Sequence, residues 1–452
     1  MDRVTGDVVA AVARGAAVVV EASPGAGKTT RIPSALLDAV EGDIVVLEPR
    51  RLAARLAAAR VAHERNEPLG KTVGYQVRFD KKASKDTRLS FVTEGVLTRR
   101  LMRDPLLDGV GAVVLDELHE RHIHTDLALA LLMELRKKRA LALVAMSATL
   151  ELAPVLELLD AQHVRCAVER HAVAIEYVTS KDPLDVQIAV AARRLQRDGV
   201  RGHILAFLPG TADIRRAAER CRALEMLVLP LHGSLSPAEQ DAAVAPSAQQ
   251  KLILATNVAE TSITIEGVEA VIDSGLVKRA SHSPWSGLVR LDVQSTSRAS
   301  AAQRTGRAGR TGPGRCIRLY SARDHERMRA YEEPEIVRSD LSEAVLALRL
   351  AGITAPSALR WLTPPPPDAL ARAEALLTDL GADQHGRRMA RFPVHPRLGR
   401  ALVEAEERNA VDEVAEMAAR LAEPGGPRAV ERTTKQLIAL SHARAAKTSD
   451  DA

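Results

Sequence analysis

The residues best suited to chemistry fall in short clusters spread along the chain. The first is Ser23-Pro24-Gly25-Ala26-Gly27-Lys28-Thr29-Thr30, set between an apolar run and a helical pattern. Glycines in such a turn let backbone N–H groups face phosphate oxygens, and the helix N-terminus that follows adds its positive end. Lys28 has the reach for β and γ phosphates, and the Thr29 hydroxyl suits a Mg²⁺ ion. Gly25, Ala26, Gly27, Lys28, Thr29 and Thr30 are therefore candidate phosphate ligands. The usual pattern opens with a glycine where this chain has Ala22.

The second cluster, Val113-Val114-Leu115-Asp116-Glu117-Leu118-His119, puts two carboxylates at the end of an apolar run. In a parallel sheet, ligands bind at the C-terminal ends of strands. Asp116 suits a Mg²⁺ shell, largely through water, and Glu117 suits orienting or deprotonating an attacking water. His119, His122 and His124 raise the question of zinc, but the H-E-x-x-H spacing needs a histidine where Ile123 stands. His122 and His124 read as a helix start, and His119 as a bridge from the nucleotide site to neighbouring elements.

A third cluster, Gln303-Arg304-Thr305-Gly306-Arg307-Ala308-Gly309-Arg310, spaces three arginines at i, i+3 and i+6. A solvated basic face is one reading. The other sends Arg307 and Arg310 across a cleft to a γ-phosphate, which the planar, permanently charged guanidinium suits. Weaker signals follow other strands: Arg50 and Arg51, Thr93 and Gly95, and Thr256 and Thr261 fit a nucleic-acid backbone and not base edges. Each is weak alone, and helix capping would account for Thr93 with Glu94 or for Asn257 before a helical turn. Ser147 and Thr149 could link hydrolysis to movement, or cap a helix.

These clusters need strands to hold them. Apolar runs at Ala17–Glu21, Ile44–Glu48, Leu89–Thr93, Ala112–Asp116 and Leu141–Met146 alternate with helical patterns. The rhythm restarts after residue 170 with runs at Ile175–Thr179, His203–Phe207, Met226–Pro230, Lys251–Ala255, Ala270–Asp273 and Cys316–Tyr320. Strand–helix alternation predicts two α/β domains in tandem, each built on a parallel sheet. Near residue 335 the texture becomes helical, with helices expected over Leu341–Leu350, Ala369–Leu380 and Pro396–Leu421.

The chain has 452 residues, enough for about three domains. With 46% hydrophobic and 27% charged residues it is not a disordered chain. The formal charge of +5 permits a nucleic-acid partner without demanding one. Aromatics at 2% argue against recognition built mainly on base stacking. Cys166, Cys221 and Cys316 lie far apart, which fits a reducing cytoplasm and gives no metal spacing. No apolar run approaches the roughly 20 residues of a membrane span.

Taken in order, the phosphate loop, PRRLAA, TEG, DELH, SAT, LATNVAETSIT and QRTGRAGR resemble the DEAH-box group of superfamily 2 helicases, and specifically its bacterial HrpB-like branch. The resemblance runs from about residue 5 to about 420. Leu118 departs from the group's name, leaving Asp116, Glu117 and His119 in their roles. It implies two RecA-like P-loop domains, 1–168 and 169–334, with ATP and Mg²⁺ in the cleft between them. It implies ATP-site roles for Lys28, Thr29, Asp116, Glu117, Gln303, Arg307 and Arg310, and backbone contacts to single-stranded nucleic acid, RNA before DNA, for Arg50, Arg51, Thr93, Gly95, Thr256 and Thr261. It further implies a winged-helix-like domain over 335–395 and part of a helical ratchet over 396–452. The ratchet reads as shortened and the family's OB-like part as absent; the resemblance still implies an ATP-dependent helicase acting on single-stranded nucleic acid, with a motor that translocates without unwinding as the alternative. A clamp that remodels proteins would carry much the same motor. A small-molecule kinase would share the phosphate loop, but the second α/β domain and QRTGRAGR argue against it.

Overall fold

The computed structural model describes residues 2–449 apart from Pro24, 149–151, 167–170, Ser262, 283–288, Thr311 and 423–426. The first sheet contains β1 (Ala17–Ala22), β2 (Asp43–Glu48), β3 (Val73–Val77), β4 (Asp80–Lys82), β5 (Leu89–Thr93), β6 (Val110–Leu115), β7 (Ala142–Ser147) and β8 (Ala161–Cys166). Their order is β4-β3-β5-β2-β6-β7-β1-β8. Only β4 pairs antiparallel, with β3; the other pairs are parallel. Val18, Val19 and Val20 of β1 are fully buried, as a strand covered by helices on both faces requires.

The second lobe contains β9 (Val173–Tyr177), β10 (His203–Phe207), β11 (Leu227–Leu231), β12 (Lys251–Ala255) and β13 (Val268–Asp273). A hairpin, β14 (Leu276–His282) with β15 (Val289–Ser295), precedes β16 (Gly314–Arg318). The sheet order is β11-β12-β10-β13-β16-β9, with every pair parallel. Two RecA-like parallel-sheet lobes are thus present, as the sequence rhythm predicts.

The apolar pattern misses β3, β4, β8, β14 and β15, and three of these have identifiable reasons. β8 is an edge strand whose Gln162 and His163 face solvent, so no continuous apolar run marks it. β14 and β15 carry charges along their length and stand apart from both sheets. After Arg318 no strand occurs among the described residues. The stretch expected to be winged-helix-like consists there of helices, including Ser342–Leu350, Pro367–Asp379 and Ala382–Met389. The single helix expected over Pro396–Leu421 is two, Pro396–Arg408 and Val411–Ala422, divided at Asn409 with φ 54°. Asparagine tolerates this left-handed turn better than most residues.

Helices of the C-terminal part share one apolar cluster with the first lobe: Leu115, Leu127, Leu346, Val403 and Leu437 belong to it. The two lobes are joined differently. Helix Arg51–Glu64 of the first lobe inserts Leu52 into the second lobe's cluster beside Leu231, Ala243 and Val258. No helix among the described residues is long and apolar enough to cross a membrane.

Candidate active site

The C-terminal edge of the first sheet collects the candidate residues. The phosphate loop leaves β1, Glu48 ends β2, Asp116 follows β6 and Ser147 ends β7, and these four strands are neighbours in the sheet. Gly25 and Gly27 have φ of 87° and 77°, a region costly to any residue with a Cβ. Gly27 caps helix Lys28–Leu36.

Lys28 is 3% exposed. Its Nζ lies 3.0 Å from Glu117 Oε2 and 3.5 Å from Asp116 Oδ1. The Thr29 hydroxyl donates to Asp116 Oδ2. Burial disfavours the Lys28 charge, but Asp116, Glu117 and Glu48 outweigh it and raise the ammonium's pKa. Asp116 is raised by burial despite Lys28. Glu48, fully buried, is raised well above the usual carboxylate range by burial and by Asp116 and Glu117. Sequence reasoning misses Glu48, because the last residue of an apolar strand carries no motif signal. Glu117 has φ 51° and donates its backbone N–H to Asp116 Oδ1 at 2.8 Å. One buried ammonium, one hydroxyl and a carboxylate therefore converge under a glycine loop, the donor set that a phosphate chain with Mg²⁺ requires.

His119 sits between lobes. Its Nδ1 is 3.4 Å from Glu117 Oε2 and 3.4 Å from the Ala148 backbone N–H, which donates to it. Its Nε2 contacts Gln303 Nε2 at 2.7 Å across the cleft. Burial lowers the pKa of this imidazole, with Glu117 opposing. Ser147 is buried at the same edge, and Thr149 lies outside the described residues.

The three arginines separate. Arg310 reaches the phosphate loop: a Cβ on Gly25 would sit 3.3 Å from Arg310 Cζ. Its Nη1 donates to Thr264 Oγ1 at 3.0 Å. Arg307 instead binds its own lobe, donating to the Glu260 carbonyl at 2.9 Å through Nε and to the Ile263 carbonyl at 2.5 Å. In this arrangement those buried carbonyls take the hydrogen bonds of its guanidinium, and Glu117 of the first lobe lies near enough to favour its charge. Arg304 is 1% exposed and paired with Asp273 at 2.8 Å and Glu260 at 3.0 Å, so the segment is not a solvated basic face.

The candidate backbone contacts lie on the other side of the DELH turn. Arg50 donates to Thr261 Oγ1 at 2.9 Å and to Glu120 Oε2 at 2.8 Å. Arg51 donates to the Gly233 carbonyl at 3.2 Å. Thr93 and Gly95 line a cavity of about 330 Å³ between the first lobe and the C-terminal helices, with Arg51, Arg78, Arg99 and Phe392. Thr256 lines another of about 370 Å³ with Arg50, Arg51 and Arg78. Thr93 and Thr256 stand at cap positions, yet neither side chain makes a capping bond.

Two RecA-like lobes facing each other over a phosphate loop define a two-lobed P-loop NTPase architecture. The chain belongs to the DEAD/DEAH-box helicases: the family model described as DEAD/DEAH box helicase matches residues 3–158, and the helicase conserved C-terminal domain matches 188–312. It is 41% identical over 428 residues to the ATP-dependent RNA helicase HrpB of Escherichia coli (strain K12), covering 90% of this chain and 52% of that protein. It is 36% identical to the human ATP-dependent RNA helicase DHX33, covering 86% of this chain and 60% of that one. The crystal structure of the Escherichia coli DEAH/RHA helicase HrpB superposes with a TM-score of 0.90 at 38% identity, covering 97% of this chain and 60% of that chain. The chain thus spans about half to three-fifths of the length of these relatives.

Proposed function

We propose that this chain is a nucleic-acid-stimulated ATPase that couples hydrolysis in the cleft to movement along, and unwinding of, nucleic acid, with single-stranded RNA preferred over DNA. The observation that carries the reading is Arg310 of the second lobe lying against Gly25 of the first, above Lys28, Asp116 and Glu117. The names of the relatives support ATP and RNA as ligands. Gly25, Ala26, Gly27, Lys28, Thr29 and Thr30 hold the phosphates. Mg²⁺ fits Thr29 and Asp116, where it would neutralise phosphate charge. Glu117 orients the attacking water, and Gln303 with His119 ties that turn to the second lobe. Arg310 stabilises charge developing on the γ-phosphate, while Arg307 holds the loop that presents it. Arg50, Arg51, Thr93, Gly95, Thr256 and Thr261 grip the strand's backbone, and Ser147 with Thr149 links the two sites. The lobes correspond to residues 1–168 and 169–334, with 335–395 and 396–452 as the two C-terminal units. Three buried free cysteines suit a reducing cytoplasm.

Turnover of ATP with and without single-stranded RNA or DNA tests this, in the wild type and in Glu117→Gln and Arg310→Ala. Stimulated turnover in the wild type, lost in both variants, is expected. Turnover indifferent to nucleic acid and to both substitutions refutes it.

A further inference from the structure

Glu120 lies on the turn after Glu117, and its backbone N–H donates to the Glu117 carbonyl at 2.9 Å. Its side chain is only 9% exposed. One carboxylate oxygen accepts from Arg50 of the first lobe at 2.8 Å, and the other accepts from the Thr261 hydroxyl of the second. Arg50 and Thr261 also bond each other. Two anionic oxygens accepting from a guanidinium and a hydroxyl are what a phosphodiester offers to the same pair. Arg50 lines cavities on both sides of this contact, so it stands where a strand would pass.

We propose that Glu120 occupies the backbone-phosphate subsite formed by Arg50 and Thr261, so that an entering single strand must displace its carboxylate. This rests on the assignment of Arg50 and Thr261 to the nucleic-acid backbone made above. A second cationic partner flanks the carboxylate where it now lies and can keep hold of it when Arg50 turns to a phosphate. His122 Nε2 is 3.4 Å from Glu120 Oε2, and His122 Nδ1 is held 3.1 Å from Glu94 Oε1. Burial opposes charge on this imidazole, but Glu94 and Glu120 outweigh it and raise its pKa to about 10. Because Glu120 shares its turn with Glu117 and His119, its displacement reports strand occupancy to the ATP site. Glu120 acts here as a positioning residue, setting affinity through Arg50.

The test is equilibrium binding of a fluorescent single-stranded RNA, and of its DNA counterpart, to the full chain without nucleotide across a potassium chloride series. Glu120→Gln removes the competing charge. It should bind about 3–10-fold more tightly than wild type, with a log–log salt slope steeper by about 0.7, one further phosphate contact. Arg50→Ala should abolish that gain in the double variant. Glu120→Asp keeps the charge and should bind as wild type does, and melting curves of all variants establish that they are folded. Weaker binding by Glu120→Gln would make the carboxylate a brace for Arg50 and overturn the proposal, as would an unchanged affinity and slope. A wild type that binds neither strand would instead refute the nucleic-acid reading itself, and the proposal with it.

Discussion

Arg307 and Arg310 belong to one motif, yet their surroundings assign them different costs when removed. Arg307→Ala strips the donors from the carbonyls of Glu260 and Ile263, both reached by a buried guanidinium. A buried polar group left without its partner costs about 1–3 kcal/mol, so the two together cost about 2–6 kcal/mol. At about 2–4 °C per kcal/mol for a domain of this size, the melting midpoint of the second lobe falls by about 4–24 °C. Arg310 is half-buried, and its bond to Thr264 is solvent-exposed. Its removal costs less than about 1 kcal/mol and leaves the midpoint within about 4 °C of wild type. ATP turnover in Arg310→Ala, however, should fall by about 10³–10⁵, the range for an arginine finger. Arg310→Lys should not restore it, since an ammonium lacks the planar fork. Differential scanning fluorimetry and a coupled ATPase assay on the two variants measure both quantities. An Arg310→Ala protein that melts early but turns over normally refutes the reasoning. So does an Arg307→Ala protein that melts as wild type does.

Glu117→Gln should retain ATP binding while turnover falls by about 10²–10⁴, the usual span for a positioned acid or base; single-turnover kinetics beside nucleotide titration check it. His122 has a folded-state pKa of about 10, above the unfolded value of about 6.5. Its contribution to stability is therefore complete below about pH 6.5 and disappears as pH rises through about 10. The melting gap between wild type and His122→Asn should narrow from pH 7 to pH 10, and a gap that is flat or widens counts against the Glu94–His122–Glu120 arrangement. The bidentate pair of Arg55 with Asp241, at 2.7 and 3.0 Å, bridges the lobes. Asp241→Arg should shift the lobes toward separation, read by energy transfer between labels on each lobe, and the exchanged pair Arg55→Asp with Asp241→Arg should restore closure.

The parts of the site legible in the sequence are those whose backbone demands leave a residue signature. Glycines at 25 and 27 betray the left-handed turns of the phosphate loop, and Asp116-Glu117 betrays a strand end by following an apolar run. Partners supplied through tertiary contact leave no such mark. Glu48 reads as one polar residue ending a strand, although it lies beside Asp116 and Glu117. Arg304, Arg307 and Arg310 share spacing and residue type, so the sequence alone assigns the last two one role. Their fates are decided by the Glu260 and Ile263 carbonyls, the Asp273 carboxylate and the Gly25 turn, each distant in the chain. Likewise Leu52 looks like an ordinary face of an alanine-rich helix, and only the second lobe's apolar cluster reveals its use.

The distribution of contacts bears on how the molecule can move. The C-terminal helices and the first lobe share a continuous apolar cluster, and separating them would expose core side chains worth about 1.5–3 kcal/mol each. The contacts across the cleft are of another kind. Arg50 with Thr261, Arg51 with Gly233, Arg55 with Asp241 and Gln303 with His119 are polar; such bonds are worth about 0.5–1.5 kcal/mol net, or about 1.5–3 where a charge takes part, and water can replace them. Leu52 and Leu56 add apolar contact to the same seam. The seam that yields first therefore runs between the lobes, with the C-terminal helices carried by the first lobe. On the proposed function, a phosphate chain bridging Lys28 and Arg310 would strengthen that seam with charge-assisted bonds, and its cleavage would remove them. A cleft lined by apolar surface would stay shut whatever it held; a polar one lets the bound nucleotide decide.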